Sequence, residues 1–343
     1  MEAKILNIVH KEILEWYAIY GRKELPWRNL KGENAPYGVY VSEIMLQQTQ
    51  VSVVLGKYYN PFLNAFPTLE ALSLANEDDV LLLWRGLGYY SRPKNMLKTA
   101  KICGKFLPDD PKELIKLPGI GAYTAGAIAC FGFGKAVGFV DGNIRRVLSR
   151  FFALVSPRAN ELQKYATIFL NQTNSFDHNQ ALLDIGSSIC IPVSPKCGVC
   201  PLQGYCKGKE NPIFYTHKSK IIYEALDWNL GVCIEEGRIA LHKSNVASYQ
   251  GLYNFPKIQN DGILDFPLIG TLKHSYTHYR LSLNIYLTPL KKDLEGEIEF
   301  FSPKEMAHLP ISGMTLKILG LIEKKGIWMS CLQLHSNTQD CRL

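Results

Sequence analysis

Four cysteines that lie close together restrict what this chain can form more than any other feature of its sequence. Thiolates gathered so closely bind a metal centre, and both zinc and iron–sulfur clusters take sulfur ligands. Zinc ribbons usually bring two C-x2-C pairs, whereas this group has one. The spacing predicts a metal centre and by itself leaves its type open. The four are Cys190, Cys197, Cys200 and Cys206, spaced C-x6-C-x2-C-x5-C.

The other cysteines give no disulfide pattern, and we interpret them as ordinary core or surface thiols. The first residues, MEAKILNIVHKEILEWY, interleave polar with apolar side chains and predict an amphipathic helix rather than a secretion signal. No stretch approaches the roughly 20 apolar residues of a membrane span. We therefore expect a monomeric cytoplasmic protein, associated with the nucleoid if bacterial, that has no membrane partner. These cysteines are Cys103, Cys130, Cys233, Cys331 and Cys341.

Length and charge indicate two domains, one of which binds a polyanion. The 343 residues exceed the usual size of one domain, roughly 100–200 residues. Of the net charge of +7, residues 1–210 contribute +6, from 24 Lys and Arg against 18 Asp and Glu. The release of counterions from phosphates drives the binding of basic surfaces to nucleic acids. On charge alone, a mildly basic surface without a partner remains the alternative.

The hydrophobic period changes along the chain from that of helices to that of strands. In PYGVYVSEIMLQQTQV, residues 36–51, apolar side chains fall on one helical face behind a proline that suits the first turn. In residues 281–288 apolar and polar side chains alternate, as in a half-buried strand. We therefore predict a helical domain at 1–210, a polar linker at 211–221, a strand-rich domain at 222–326 and an unassigned tail at 327–343.

Two motifs of the helical part indicate phosphate binding and carboxylate chemistry. Leu117–Ile128, LPGIGAYTAGAI, has the character of two helices joined by a hairpin. Gly119 and Gly121 permit a tight turn, after which backbone N–H groups can face a phosphate; a plain helix–helix turn is the alternative. Further along, VDGN places Asp141 directly before a helix that carries three arginines. An aspartate at such a position is commonly an N-cap, and a residue that caps a helix can also have a chemical role.

The order of these motifs and the cysteine spacing resemble the endonuclease III superfamily of DNA glycosylases. The resemblance implies a helix-hairpin-helix fold, with a six-helix module at about 21–135 and a cluster module from 1–20 and 136–210. It implies one 4Fe–4S cluster on the four cysteines, and catalytic roles for Asp141 and Asn143. It also implies that the cluster braces a loop whose lysines contact phosphate, here Lys196, Lys207 and Lys209.

One further motif separates members of this superfamily. SEIMLQQTQV, which contains Glu43, closely resembles the adenine-specific mismatch glycosylases (the MutY family), in which the glutamate is the catalytic acid. LPWR, GLGYYSR and VDGN match the same family, so the resemblance covers residues 20–210. It implies an adenine DNA glycosylase of base-excision repair. Its partner would be double-stranded DNA with an A·8-oxoG or A·G mispair.

The chemistry of the two carboxylates agrees with this assignment. Adenine leaves poorly as an anion, so a group that protonates a ring nitrogen lowers the barrier. Glu43 lies beside Ile44 and Met45, and burial among apolar side chains raises a carboxyl pKa, which keeps a proton available. An ionised Asp141 would stabilise the cationic oxocarbenium sugar, as in glycoside hydrolysis generally.

One hairpin position bears on whether the enzyme also cuts the DNA backbone. Members that do so have a lysine two residues after the second glycine of the hairpin, where this chain has Tyr123. Without that amine nucleophile we expect hydrolysis and no efficient lyase step. The alternatives are a bifunctional endonuclease III-like glycosylase, a non-catalytic iron–sulfur DNA-binding protein and a zinc-ribbon regulator.

The resemblance also implies which residues contact the DNA once the target base has left the stack. Gln48 and Tyr89 would fill or wedge the vacated duplex, and Arg28 with Asp184 would contact the flipped adenine. Trp27 of the LPWR motif is expected to border the substrate. Trp27 and Tyr89 are equally compatible with a plain role as core aromatic side chains.

The region after residue 222 resembles, more loosely, the Nudix-like α+β domain with which the MutY family reads 8-oxoguanine. GLYNFP stands where that family typically has GLWEFP, and HSYTHYRL stands where HxFSH is usual. Tyr276 keeps the wedge shape of the usual phenylalanine, and Thr277, beside His278, keeps the hydroxyl of the usual serine. The acidic box of nucleotide hydrolases is missing from the sequence, so we expect a domain for recognition only.

Overall fold

The computed structural model describes most of the chain, and the residues that it describes form helices first and strands afterwards, as the sequence predicts. Cys331, Cys341, the end of the expected linker and nearly all of the unassigned tail lie outside the described residues. The described ranges are 2–216, 222–246, 249–258, 266–289 and 294–327.

The described chain forms two compact units, and each unit is built from two segments that are separated in the sequence. The first unit contains residues 2–74 and 95–216. The second contains residues 75–94 together with the described residues from 222 onward. The GLGYYSR motif, Gly86–Arg92, therefore belongs to the second unit, although its place in the sequence lies within the first 210 residues.

Hydrogen bonds and ion pairs within the second unit hold residues 75–94 there. The Arg85 guanidinium donates to the Met306 carbonyl oxygen at 3.1 Å. The Lys243 ammonium lies 3.0 Å from an oxygen of the Asp78 carboxylate. These contacts join positions more than a hundred residues apart in the sequence, so local periodicity carries no sign of them.

Helices of 4 to 18 residues form most of the chain up to residue 188. Several begin at a polar side chain that caps the first turn; the Thr68 hydroxyl, for example, accepts from the Ala71 N–H at 3.0 Å. The helices are α1 (Ala3–Tyr20), α2 (Ala35–Leu46), α3 (Val51–Lys57), α4 (Tyr59–Ala65), α5 (Leu69–Ser73), α6 (Glu77–Leu83), α7 (Ser91–Cys103), α8 (Pro111–Leu114), α9 (Ala122–Ala127), α10 (Gly142–Phe152), α11 (Ala159–Phe169) and α12 (Ser175–Ser188).

Helix α2 is buried on all sides, which corrects the expectation of a helix with one apolar face. Every residue from Ala35 to Met45 is buried, including Glu43. The helix packs against α9 and against the π-helical turn Ile128–Gly132 that follows it. At Gly132 a Cβ atom would lie 2.7 Å from the Pro36 Cα, so only glycine permits this close approach. The polar residues of α2 therefore face protein atoms rather than bulk water.

The second unit combines two small sheets with two helices. In one sheet β1 pairs with β6 in parallel and β6 pairs with β5 antiparallel; in the other β3 pairs with β2, β4 and β7. The strands are β1 (Glu224–Val232), β2 (Ile234–Glu235), β3 (Arg238–Lys243), β4 (Tyr253–Asn254), β5 (Leu268–Tyr276), β6 (Tyr279–Leu287) and β7 (Glu299–Phe301), followed by α13 (Pro303–Met306) and α14 (Gly313–Lys324).

The predicted alternation of strand β6 is confirmed for residues 281–286 and is wrong after them, since Leu287 is partly exposed and Thr288 is buried. Leu281, Leu283 and Ile285 are buried in one core with the apolar face of α14, while the residues between them are partly exposed. Strands β5 and β6 are joined directly through Thr277 and His278. In the described ranges, none of the helices combines the length and the apolar character that crossing a membrane requires.

Candidate active site and cysteine cluster

A cavity of about 200 Å³ in the first unit brings together residues from distant parts of the chain. This volume lies below the roughly 300–1,000 Å³ of pockets for drug-sized ligands and suits a single planar base. The sequence-predicted residues that border the cavity are Trp27, Arg28, Glu43, Tyr123, Asp141 and Asn143.

Glu43 has the electrostatic environment of a carboxyl group that stays protonated near neutral pH. Its side chain is buried, and the Tyr123 hydroxyl donates to Glu43 Oε2 at 2.7 Å. Burial raises the pKa of Glu43 to about 7, and the charge of Asp141 adds to this effect. The hydrogen bond from Tyr123 and the charge of Arg28 act in the opposite direction. Near pH 7 this group therefore holds a proton that it can release.

Asp141 is both the N-cap of α10 and a wall of the cavity, so the two interpretations of this residue are compatible. Its Oδ1 accepts from the Ile144 N–H at 2.6 Å, and its Oδ2 accepts from the Asn143 amide at 3.0 Å. Burial raises the pKa of Asp141, while these hydrogen bonds favour its ionised form. Asn143 thereby fixes the orientation of the carboxylate that the sequence analysis assigned to catalysis.

Asp184 is not among the residues that border the cavity, but it binds two arginines that are. Arg28 binds it end-on, Nη1 to Oδ2 at 2.7 Å and Nη2 to Oδ1 at 2.8 Å. Arg22 donates its backbone N–H to Oδ2 at 2.9 Å and its Nε–H to Oδ1 at 2.7 Å. Burial alone would raise the pKa of Asp184, but its hydrogen bonds and ion pairs with these arginines hold that pKa below its usual value.

This arrangement bears on the predicted adenine contacts. Both oxygens of Asp184 are occupied by arginine, whereas the buried Arg28 Nε has no hydrogen-bond partner among the residues described. Arg28 thus has a free donor beside the cavity, and Asp184 orients it. Arg22 also borders the cavity, and the sequence analysis missed it. Its proximity to the LPWR motif is the only local signal that points to it.

Trp27 is a core aromatic side chain that also borders the cavity, and its contact with the substrate stays a prediction. Its ring is 5% exposed and meets the Tyr59 ring edge-on, with 5.1 Å between centroids, which is a core contact. It also borders the cavity. A rigid, packed indole of this kind can form one wall for a planar base without losing freedom when the base binds.

Three residues predicted to contact DNA have left-handed backbone conformations. The φ angles are 57° at Gln48, 51° at Tyr89 and 48° at Thr277. Residues other than glycine rarely adopt this region, and those that do are enriched at functional sites; four further non-glycine residues of the described chain adopt it as well. All three are exposed. Their roles toward DNA stay predictions.

In the hairpin, only one of the two glycines is required by the turn itself. Gly119 has a φ of 75°, and a Cβ there would lie 2.9 Å from the Asn95 Cβ. Gly121 has a φ of −88°, is the N-cap of α9, and has open space where a side chain would point. Gly121 therefore leaves the start of α9 accessible, which is what the predicted phosphate contact needs.

The four cysteines of the cluster border one cavity beside a buried arginine. Arg150 of α10 is 2% exposed, and its Nη1 lies 3.3 Å from the Cys190 Sγ. The same side chain donates to the carbonyl oxygens of Ile191 at 2.9 Å and Pro212 at 2.8 Å. Four soft sulfur donors next to a guanidinium, whose charge offsets that of thiolates, suit an iron–sulfur cluster.

The contacts of Arg150 change what the sequence indicated about the basic surface of α10 and about the expected linker. Arg150 serves the cysteine loop rather than the surface, so helix α10 is less basic on its outside than its sequence indicates. Because Pro212 and Thr216 accept hydrogen bonds from Arg150, the first part of the 211–221 segment is fixed to the first unit. The predicted phosphate-contacting lysines are exposed; they are Lys196, Lys207 and Lys209.

In the second unit, the three predicted recognition residues lie at the β5–β6 turn. Tyr276 is half-buried, and its ring lies 5.2 Å from that of Tyr279. Thr277 and His278 are exposed, and the His278 ring lies 4.0 Å from that of Tyr279. The aromatic side chains at the base of the turn thus support an exposed hydroxyl and an exposed imidazole.

Comparisons with known proteins define the class to which this fold and site belong. Residues 41–173 match the family model of the HhH-GPD superfamily base excision DNA repair proteins, and residues 190–206 match the iron–sulfur binding domain of endonuclease III. A thermostable thymine-DNA glycosylase is similar in structure, with a TM-score of 0.55 and 26% identity over 60% of this chain and 97% of that one. Endonuclease III in a non-covalent DNA complex shares the fold, with a TM-score of 0.52 and 20% identity over 61% and 97% of the two chains. The protein is a DNA N-glycosylase with an iron–sulfur binding domain.

Sequence relatives narrow this class. An adenine DNA glycosylase of Buchnera aphidicola subsp. Baizongia pistaciae is 38% identical over 309 residues, which cover 82% of this chain and 85% of the relative. That of subsp. Acyrthosiphon pisum is 36% identical over 91% and 97% of the two chains. The human adenine DNA glycosylase is 37% identical over 58% of this chain and 39% of its own length. The chain belongs to the adenine DNA glycosylase family, which confirms the family that the motifs predicted.

Proposed function

We propose that this enzyme hydrolyses the N-glycosidic bond of adenine mispaired with 8-oxoguanine or guanine, without an efficient lyase step. The observation that carries the proposal is the pairing of two carboxyl groups at one cavity. Glu43 has its pKa raised to about 7 by burial, and Asp141 is held by hydrogen bonds to its carboxylate. Two such groups with separate environments are what an acid and a cation-stabilising carboxylate require.

The reaction divides between these two residues. Once the adenine has flipped into the cavity, Glu43 donates its proton to a ring nitrogen of the base. The bond between the sugar and the base then breaks, and its electron pair leaves with the neutral adenine. The Asp141 carboxylate stabilises the oxocarbenium sugar until water adds and gives its proton to the Glu43 carboxylate, which restores the acid. Arg28 would donate from its free Nε to the base, and Trp27 would form one wall for it.

The monofunctional assignment depends on Tyr123. Its hydroxyl donates to Glu43, so the lyase-lysine position holds a group that supports the acid and has no amine for a Schiff base. Borohydride should therefore trap no substantial covalent enzyme–DNA adduct. A strong trapped band that persists in Tyr123→Phe would show that another amine acts, and would favour the bifunctional alternative.

We propose that the group on the four cysteines is a single 4Fe–4S cluster. The cavity that they share, and the guanidinium of Arg150 beside Cys190, support this type. When bound, the cluster would cross-link the loop and leave the reaction to the carboxylates. The purified protein should contain about four iron and four sulfide per chain. Stoichiometric zinc without labile sulfide would contradict the assignment.

We further propose that the second unit is a Nudix-like domain that reads the base opposite the adenine. Its parallel β1–β6 pair, its antiparallel β5–β6 hairpin and its covering helix α14 support this interpretation. The exposed Thr277 hydroxyl at the hairpin turn is the predicted hydrogen-bonding group.

The central experiment is incubation of the full chain with duplexes that contain A·8-oxoG, A·G or A·T, followed by alkaline cleavage at abasic sites. We expect strand breaks at the adenine of both mispairs, faster for A·8-oxoG, and none at A·T. Strand breaks before alkali would indicate the bifunctional alternative. Binding without any breaks would indicate a non-catalytic iron–sulfur DNA-binding protein.

A further inference from the structure

Arg92 is a buried arginine at the end of the GLGYYSR motif, three residues after Tyr89, which is predicted to wedge the vacated duplex. Arg92 is 7% exposed, whereas Tyr89 is 39% exposed. An arginine is seldom buried unless other groups bind its charged end, so its contacts indicate its role. The sequence analysis noted the motif but gave Arg92 no role of its own.

The charged end of Arg92 lies against two aromatic rings. Its Cζ atom is 5.3 Å from the centroid of the Tyr89 ring and 5.3 Å from that of the Trp84 ring. A cation within about 6 Å of a ring centroid is attracted to the face of the ring. Trp84 is fully buried, so its ring is fixed in the core. Arg92 thus connects the exposed ring of Tyr89 to a ring that cannot move.

Arg92 also holds the backbone that leads to Tyr89. Its Nη2 donates to the carbonyl oxygens of Leu87 at 3.3 Å and Gly88 at 3.0 Å. The Trp84 Nε1–H donates to the same Gly88 oxygen at 3.1 Å. The φ angle of Tyr89, 51°, is unfavourable for a residue with a side chain and persists only where the surroundings hold it. These hydrogen bonds fix the peptide groups directly before Tyr89 and so stabilise the backbone from which its ring projects.

We propose that Arg92 is a positioning residue that holds the Tyr89 ring in the orientation in which it wedges the duplex. A side chain that is ordered in advance loses less freedom when it inserts between bases, so more of the interaction energy remains for binding. Burial lowers the pKa of Arg92 to about 10, so the cation persists at neutral pH. The inference rests on the proposed function, in which the target adenine leaves the stack, and on the predicted wedge role of Tyr89.

The test is a double-variant cycle in the full chain with Arg92→Gln, Tyr89→Ala and their combination. The ligand is an A·8-oxoG duplex whose target nucleotide carries a 2′-fluorine, which destabilises the oxocarbenium sugar and so keeps the glycosidic bond intact. Fluorescence anisotropy measures affinity. A 2-aminopurine beside the target adenine reports unstacking as a rise in fluorescence, which is read at saturating protein.

We expect the effect of Arg92→Gln to depend on the Tyr89 ring. Alone, this substitution should weaken binding by roughly fivefold, as the loss of one cation–π contact does, and should lower the rise in fluorescence. In the Tyr89→Ala background it should change neither quantity, because the group through which Arg92 acts is already gone. Arg92→Lys keeps the charge without the planar fork and should recover part of both.

The matched control removes an exposed arginine from the same unit. Arg238→Gln loses an ion pair with Glu305 and should change neither affinity nor fluorescence. If Arg92→Gln does not fold, Arg92→Lys takes its place in the cycle, with a smaller expected effect that again should vanish without the Tyr89 ring.

The outcomes separate this inference from the proposed function. If the Arg92 substitution weakens binding equally with and without the Tyr89 ring, Arg92 supports only the fold, and the inference is wrong while the proposed function stands. If Tyr89→Ala binds and unstacks the duplex like the wild-type protein, the inference fails together with the predicted wedge. Adenine release from the unmodified duplex is measured separately; its absence would contradict the proposed function, and the cycle would still decide the role of Arg92.

Discussion

The two units each contain a cavity, of about 200 Å³ in the first and about 400 Å³ in the second, and the cavities differ in the charge of their polar groups. The first is bordered by the carboxyl groups of Glu43 and Asp141 and by the guanidinium of Arg28. The second is bordered by tyrosine, serine and threonine hydroxyls and by the imidazole of His274, whose pKa burial lowers to about 4. Chemistry needs charged groups fixed in advance at shifted pKa values. Recognition needs neutral groups that only the correct base can satisfy, because a wrong base leaves them unpaired.

The largest expected effect comes from a substitution that removes the proton donor of the first cavity and keeps the cavity's shape. Glu43→Gln keeps the size and the hydrogen bond with Tyr123 but removes the proton, so adenine release should fall by about 10³-fold, within the usual range for a general acid. Binding of mispaired duplex should stay near the wild-type level. Single-turnover rates and fluorescence anisotropy measure the two quantities. Glu15→Gln, at an exposed position of α1, is the control. Near-native adenine release by Glu43→Gln would show that Glu43 is not the catalytic acid.

The pH dependence of release sharpens the same contrast, because only the first cavity contains a group that titrates near neutrality. Glu43 must be protonated to act, and its pKa is raised to about 7, so the rate should be full below pH 7 and fall about tenfold per pH unit above it. Tyr123→Phe removes a hydrogen bond that lowers this pKa. The falling limb should then move to higher pH. A limb that stays in place, measured by single-turnover rates from pH 6 to 9, would show that Glu43 is not the titrating acid.

The proposed catalytic pair was predictable from sequence because its signals are local. Glu43 lies within a distinctive run of residues on one helix, and Asp141 directly precedes another, so motif and N-cap both identify them. The ion pair between Arg22 and Asp184 gives no such signal. These residues are 162 positions apart, and they meet because α1 packs against α12. Hydrophobic periodicity does not contain such information.

Tertiary contacts also explain the other differences between sequence and structure. The period of α2 indicated one apolar face, but packing against several elements, the turn Ile128–Gly132 among them, buries every residue from Ala35 to Met45. The GLGYYSR motif lies in the second unit because ion pairs and hydrogen bonds join residues 75–94 to it. That the Tyr249 hydroxyl has no partner within the described ranges could not be foreseen, since burial without a partner depends on all the surrounding elements.

A smaller effect is expected from a substitution that weakens the positioning of Arg28 at the first cavity. Arg22→Gln removes one of the two arginines from Asp184, so Arg28 loses part of its fixed orientation toward the base. We expect adenine release to fall by roughly tenfold with little change in duplex affinity, as misplaced positioning groups lower rate more than binding. Arg22→Lys should recover part of the rate. Lys23→Gln removes the same charge from the neighbouring exposed residue, and an equal loss in that variant would mean that only net charge matters.

The smallest expected effect concerns the exposed turn of the second unit. Thr277→Ala combined with His278→Ala should lower the preference for A·8-oxoG over A·G by roughly fivefold, since each neutral hydrogen bond contributes on the order of 1 kcal/mol and only some contacts are removed. Release from A·G should not change, because Glu43, Asp141 and the cysteines belong to the first unit. Thr271→Ala, which loses a hydrogen bond to Asn284 between β5 and β6, controls for strand stability. If the double variant discriminates as well as the wild-type protein, the turn does not read the oxidised base. The division between chemistry in the first unit and recognition in the second would then not hold for this turn.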